Sequence, residues 1–442
     1  MKIELNDIAA KLIEGAQRRG AQGVRASAYR SKESSVEWRD GKLDRLQEST
    51  KRGASVILFV NGRFSSNNTS DLRPEALDRF LDDAVSMTKV LAADPHRRLA
   101  DPQRYQGRFE GDLQVYDGEA HRTLGPDERR RVARALEDAA RSAPDADQII
   151  SVTSYCDNSE TEAVLVASNG LEVGRRSGDF SISAEVSVKE QGDRKPEGYY
   201  EGGATRRQAL PAVDWVGSEA TRRALMLRGS KSETSGRYSC VVENRVAARL
   251  IRDLLAPLDG QAIQQQRSFL AGKIGQEVLS PRFTMVDDPL LPGGLGSRPY
   301  DSEGMTRQKL PLFEKGVLRS YLLDTYYASK LGLEPTTGDT TNLVFVTGDK
   351  DLPALLSTMG TGILITGFSG GNSNSATGDF SLGIRGMWIE KGKPVRAVSE
   401  MNLAGNHLQF WKTLAEMGGD PFPYSATRVP SLRFGPVQFS GT

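Results

Sequence analysis

Alternating apolar and polar residues, interrupted by Asn-Gly pairs, are the feature that most constrains the fold of this 442-residue chain. From about residue 148 to 190, the runs QIISVTSYC, EAVLVASNGLEVGRR and DFSISAEVSVKE alternate with the period of a β-strand. Asn169-Gly170 lies within the second of these runs, and Asn61-Gly62 lies between two earlier β-like runs. Because Asn-Gly is a strong signal for a two-residue hairpin turn, the first half is predicted to contain an antiparallel sheet.

Segments with apolar residues at helical spacing precede and follow these strands. This spacing predicts helices over residues 7–19, after Pro74 (with Met87 on the apolar face), after Gly125-Pro126, and over 206–228. Residues 1–228 are therefore expected to form an N-terminal α/β domain, in which an antiparallel sheet carries flanking helices, so that the fold class is α+β.

The second half has a different pattern. Residues 244–256 predict one clear helix, and many short β-like runs with glycine turns follow it. Glu314-Lys315-Gly316 and Glu390-Lys391-Gly392 resemble tight hairpin tips. We expect residues 229–442 to form a mostly β, barrel-like domain with one or two helices. The segment NLAGNHLQFWKTLAEM is interpreted as a helix that contains His407.

Composition excludes several classes of function. Lys and Arg number 58 against 57 Asp and Glu, so a net charge of +1 gives no electrostatic reason to expect nucleic acid or a membrane surface. No run approaches the roughly 20 apolar residues of a membrane helix, and the first 20 residues carry charges where a signal peptide needs an apolar stretch. With only Cys156 and Cys240 present, a reducing cytoplasm is the expected location.

Histidine is scarce as well. His96, His121 and His407 are the only three, and no two of them lie within a helical turn or two of each other. A local zinc motif of the H-E-x-x-H type is therefore impossible in this sequence.

The segment GFSGG matches the G-x-S-x-G nucleophile elbow, with Ser369 in the nucleophile position. The elbow requires a helix after the serine, whereas GGNSNSATGD is rich in turn formers and precedes another apparent strand. The one histidine that follows Ser369 is His407. An independent hydrolase that uses Ser369 is thus the least favoured interpretation, and a glycine turn is preferred.

The polar residues of the same loop suggest binding. We predict that Gly370, Gly371, Asn372 and Asn374 contact a peptide substrate, although capping of the loop's own turn explains the asparagines equally well. No catalytic residue and no metal ligand is predicted.

Two acidic pairs and one cysteine are further candidate sites. Asp287-Asp288 and Asp301 with Glu303 could supply metal oxygens, but turns are the commoner explanation and no calcium-loop spacing is present. Cys240 could be reactive beside the helix at residue 244, whereas burial is the usual state of such a cysteine.

Three ordered segments resemble the TldD/PmbA family. They are VDDPLLPGGLGSRPYDSEGM (286–305), LLDTYYASKLGLEPTTG (322–338) and TGDFSLGIRGMWIEKGKPVRAVSEMNLAGN (377–406). The N-terminal half matches in layout, so the resemblance covers essentially the whole chain.

The resemblance implies a division of labour. TldD-like members carry H-E-x-x-x-H on the first helix of the C-terminal domain, whereas PmbA (TldE) members lack it and pair with a TldD subunit. Here Glu243, Asn244 and Ala248 stand at the three motif positions, so the chain is similar to the PmbA branch.

The resemblance implies a non-catalytic subunit of a cytoplasmic zinc metallopeptidase complex, which acts on unfolded or leader peptides with zinc in the partner. The alternative is a homodimer that binds peptides or modulates gyrase without its own protease activity.

Overall fold

The computed structural model describes residues 2–192 and 194–441, and for residues 2–4 only the helical backbone. The helices are α1 (Lys2–Arg18), α2 (Pro74–Val90), α3 (Gly118–Thr123), α4 (Pro126–Arg141), α5 (Val213–Met226), α6 (Asn244–Leu255), α7 (Gly260–Gln264), α8 (Thr325–Leu331), α9 (Leu352–Met359) and α10 (His407–Phe410). The strands are β1 (Gly23–Arg39), β2 (Lys42–Val60), β3 (Arg63–Thr69), β4 (Ile149–Ala167), β5 (Leu171–Val188), β6 (Glu197–Ala204), β7 (Gly236–Val242), β8 (Met285–Asp287), β9 (Leu310–Glu314), β10 (Val317–Leu318), β11 (Leu343–Phe345), β12 (Gly362–Phe368), β13 (Asn372–Ser373), β14 (Asp379–Glu390), β15 (Lys393–Asn406), β16 (Leu414–Met417) and β17 (Leu432–Ser440).

The N-terminal half contains one six-stranded antiparallel sheet in the order β3-β2-β1-β4-β5-β6. Both Asn-Gly hairpins are confirmed, and Asn61 and Gly62 take φ values of 50° and 72°. Strands β1, β2, β4 and β5 are each 17 to 19 residues long, so runs that resemble separate short strands in the sequence are continuous.

The long helices of this half cover one face of the sheet. Apart from Ile149 and Ala167 at the two ends of β4, the buried side chains on β1 and β4 fall at even-numbered positions, which a strand points to the same side. Those at one end pack against α1 and α2, and those at the other end pack against α4 and α5. The α+β class with flanking helices is thus confirmed, although Met87 of α2 is 64% exposed rather than part of the predicted apolar face.

A five-stranded barrel forms the core of the C-terminal half. Strands β12, β7, β17, β15 and β14 pair in that order, and β14 pairs back with β12 to close the barrel. Strand β13 attaches to β14 at the rim, and β16 attaches to β17. Helix α6 packs against the barrel through Ala247, Leu250, Ile251 and Leu254, which share the core with β7 and β12.

The barrel-like fold and both predicted hairpin tips are confirmed. Lys315-Gly316 and Lys391-Gly392 have positive φ in the β9–β10 and β14–β15 turns. The short helices α7 to α10 add to the predicted α6. The division at residue 228 falls in the stretch 227–235, which contains neither helix nor strand, and it stays a prediction.

The helix predicted over NLAGNHLQFWKTLAEM is present only in its middle, at His407, and is wrong at both ends. Strand β15 continues to Asn406, α10 and a 3-10 turn (Trp411–Thr413) follow, and the chain returns as β16. The register of β15 against β14, from Asn406–Asp379 onward, outweighs the helical spacing of this segment.

Candidate functional site

A groove of about 750 Å³ runs between helix α6 and the loop that follows strand β12. We call it the α6 groove. It is lined by Arg245, Val246, Ala248, Arg249, Arg252, Leu255, Phe368, Gly370, Gly371 and Thr427. Its volume lies in the range of ligand pockets in proteins, which is about 300–1,000 Å³. Two of the four residues predicted to contact substrate, Gly370 and Gly371, therefore lie on its wall.

The two asparagines predicted to contact substrate form structural contacts within the loop. Asn372 pairs with Ser381 in the short strand β13. The side chain of Asn374 accepts a hydrogen bond of 2.9 Å from the Ala376 amide, and so caps its own turn. The structure thus places the glycines and the asparagines in different roles, and contact of any of the four with a peptide stays a prediction.

Glycine is required at one of the two groove positions. A Cβ atom on Gly371 would lie 2.2 Å from the carbonyl oxygen of Ser381, and its φ is 96°. Gly370, with φ of 72°, has nothing within 4 Å of such an atom.

Gly371→Ala is expected to displace the loop and cost about 2–3 kcal/mol of unfolding free energy, because backbone strain and a backbone clash add. Gly370→Ala is the matched control and is expected to cost about 1 kcal/mol, from positive φ alone. Denaturant unfolding measures both variants, and equal losses would contradict this assignment.

Ser369 does not belong to a hydrolytic triad among the described residues. Its amide donates to the carbonyl of Gly383 at 2.8 Å, its side chain is exposed, and β13 follows instead of a helix. His407 contacts Ser373 instead, with Nε2 2.8 Å from Oγ. The imidazole is stacked between Phe269 and Phe380, and burial lowers its pKa to about 4, with Arg249 adding to the effect.

The start of α6 does not fit a zinc ion. Glu243 is buried and forms an ion pair with Arg223, while the Asn244 side-chain amide donates to the Asp420 carbonyl at 2.6 Å. Ala248 has no donor atom. Across residues 2–192 and 194–441, no three His, Cys, Asp or Glu side chains are grouped to hold a metal ion. This helix therefore offers no ligand set at the three motif positions.

Three arginines along α6 were missed by the sequence reasoning. Arg245, Arg249 and Arg252 lie at positions i, i+4 and i+7, which place them on one helix face. Arg249 pairs with Asp253 at 2.5 Å. The spacing itself could have revealed this face, but not the loop that it lies against.

Both acidic pairs form structural hydrogen bonds and ion pairs. Asp287 accepts bonds from the Thr341 amide and hydroxyl at 2.6 and 2.7 Å and pairs with Arg307. Asp288 lies 2.9 Å from Lys309.

Asp301 and Glu303 hold loops together. Asp301 accepts two backbone amides, and burial, with Glu303 next, raises its pKa to about 6. Glu303 accepts the Thr325 amide and pairs with Arg25 on the N-terminal sheet.

Cys240 lies fully buried in β7, within the barrel core. Burial raises the pKa of its thiol, so it remains protonated and unreactive. The interpretation of this cysteine as a core residue is the one that the structure supports.

Comparison with known proteins agrees with this architecture. Three consecutive family models match the chain: PmbA/TldA metallopeptidase domain 1 over residues 24–88, the central domain over 119–228, and the C-terminal domain over 235–441. The molecule is therefore of the metallopeptidase-related class. The chain belongs to the PmbA/TldD family.

Three similar proteins match over nearly their whole length. Metalloprotease PmbA of Escherichia coli O157:H7 is 27% identical over 95% of this chain and 93% of its own. A Bacteroides thetaiotaomicron protein, described as a candidate modulator of DNA gyrase, has a crystal structure that superposes with a TM-score of 0.95. It is 38% identical and covers 99% of both chains. TldE from Thermococcus kodakarensis, at 18% identity, 98% and 100% coverage and a TM-score of 0.87, shows the same fold.

None of the helices in the described part of the chain has both the length and the apolar character needed to cross a membrane.

Proposed function

We propose that the chain is the non-catalytic, PmbA/TldE-like subunit of a cytoplasmic zinc metallopeptidase complex of the TldD/TldE type. In this proposal it binds unfolded or leader peptides, and a TldD-like partner supplies the zinc ion and the cleavage chemistry. The observation that carries the proposal is the start of helix α6, where Glu243 is paired, Asn244 is bonded to backbone and Ala248 has no ligand atom. Zinc hydrolysis needs about three protein ligands and an activated water.

The α6 groove supports a role in peptide binding. It combines apolar side chains from Val246, Leu255 and Phe368 with cationic and backbone groups. At the rim of the barrel, β13 is an edge strand that pairs with β14 on one side. An extended peptide that adds to such an edge is held by main-chain hydrogen bonds, which tolerate many sequences.

The test compares the purified chain, a TldD-like partner, and the two mixed, each with an unfolded peptide. We expect chelator-sensitive cleavage in the mixture, restored when zinc is added back, and no cleavage by this chain alone. Ser369→Ala in the mixture is expected to leave the cleavage rate unchanged, since Ser369 has no catalytic partner among the described residues.

Two outcomes would contradict the proposal. Chelator-resistant cleavage by this chain alone would make it an independent hydrolase, and loss of that activity in Ser369→Ala would identify the nucleophile. A stable homodimer that binds peptide but neither associates with the partner nor alters its cleavage rate would favour the peptide-binding alternative.

A further inference from the structure

The charge of the α6 groove is one-sided. Its lining includes three arginines, Arg245, Arg249 and Arg252, and no aspartate or glutamate, although the whole chain carries a net charge of only +1. The positive charge is therefore a local feature of this wall and not a property of the surface in general.

Within the described residues, one of the three arginines forms an ion pair, whereas the carboxylates of Glu243 and Glu201 act on Arg245 only through space. Arg249 pairs with Asp253 on the next turn of the helix. Arg252 is exposed on the same face and has no ion-pair partner within the described residues. The guanidinium groups of Arg245 and Arg252 are therefore available to a ligand in the groove.

Of these two arginines, Arg245 has donor atoms that are buried. Its guanidinium lies 4.4 Å above the ring of Tyr200, and its Nε and Nη1 atoms are buried without a hydrogen-bond partner in the described part of the chain. Burial, with Arg223 nearby, lowers its pKa. Buried donors without partners destabilise a folded protein, and they mark a position at which a ligand can supply the missing acceptor.

We propose that the α6 groove selects peptides that carry a carboxylate, which Arg245 and Arg252 bind. A carboxylate offers two oxygens to the planar fork of an arginine, and such charge-assisted bonds are stronger than neutral ones. Val246, Leu255 and Phe368 accommodate apolar neighbours in the peptide. This assignment rests on the peptide-binding role proposed above and specifies its substrate class: an acidic side chain or a free C-terminal carboxylate.

Binding of labelled unfolded peptides to the intact chain, followed by fluorescence anisotropy at low salt, tests the proposal. Three peptides of one length are compared: one with glutamates and an amidated C-terminus, its glutamine counterpart, and the glutamine peptide with a free C-terminus. We expect at least one of the two carboxylate peptides to bind about tenfold tighter than the neutral one. The peptide that does so identifies the source of the carboxylate.

Variants assign the preference to the groove. Arg245→Met combined with Arg252→Gln is expected to reduce the preference to less than about threefold. Arg282→Gln removes the same kind of charge from an exposed arginine outside the groove, and it should keep the preference. Arg245→Met alone is expected to raise Tm by ~1–2 °C, because a buried unpaired guanidinium is replaced by an apolar chain.

The outcomes separate the two proposals. Equal affinity for all three peptides would overturn the carboxylate preference and leave peptide binding in place. An equal loss of preference in Arg282→Gln would show a general charge effect and would also overturn the assignment. Failure of every peptide to bind would contradict the proposed function itself.

Discussion

Replacing Arg223 with methionine is expected to lower the free energy of unfolding by about 3–5 kcal/mol. Arg223 lies on α5, in the N-terminal half, and Glu243 is the residue before α6. Their side chains are 8% and 10% exposed, and the guanidinium bonds to both carboxylate oxygens. Removing the arginine leaves a buried carboxylate without its partner, which is more costly than losing the pair as a whole.

The adjacent arginine provides a matched control. Arg222 bonds to Glu219 but is 57% exposed, so Arg222→Met is expected to cost only about 0–1 kcal/mol. A double variant, Arg223→Met with Glu243→Leu, is expected to regain most of the stability, because Glu243 no longer stays behind as an unpaired buried charge. Glu219, which also pairs with Arg223, keeps its ion pair with Arg222. Denaturant unfolding monitored by tryptophan fluorescence measures all three. Similar losses in Arg222→Met and Arg223→Met would show that burial does not govern this pair.

Local turn chemistry explains what the sequence could predict of the fold. Asn61-Gly62, Asn169-Gly170 and Lys391-Gly392 define their hairpins because positive φ is needed within two residues of each strand end. Strand length was harder to predict. Residues 31–35 of β1, SKESS, are polar on both sides, yet pairing with β2 and β4 keeps them extended.

The candidate site depends on contacts between residues that are far apart in the sequence. Gly370 and Gly371 were predicted for the loop, but the arginines opposite them lie more than a hundred residues earlier in the chain. Their juxtaposition depends on β12 pairing with β7, the strand that leads into α6. Single-residue patterns contain no information on that pairing, so the groove could not be predicted from spacing.

The stability of the protein is expected to fall as the pH drops from about 7 to 5, in part because of His407. The imidazole is fully buried, and its pKa is lowered from 6.5 to about 4. In the unfolded chain His407 takes up a proton near its ordinary pKa, whereas the folded protein resists protonation until the pH is much lower. The unfolded state therefore gains protons first, and this group removes about 2 kcal/mol of unfolding free energy over that interval.

Two substitutions isolate this contribution from that of the carboxyl groups. His407→Gln removes the titrating ring, so its unfolding free energy is expected to depend less on pH than that of the unsubstituted protein. Ser373→Ala removes the hydrogen bond of 2.8 Å but keeps the imidazole between Phe269 and Phe380, so it should retain the full pH dependence. The measurement is urea unfolding at several pH values. Burial of a neutral imidazole requires the plots of unfolding free energy against pH for His407→Gln and the unsubstituted protein to converge at lower pH. If the two plots are parallel, protonation of His407 is not coupled to unfolding.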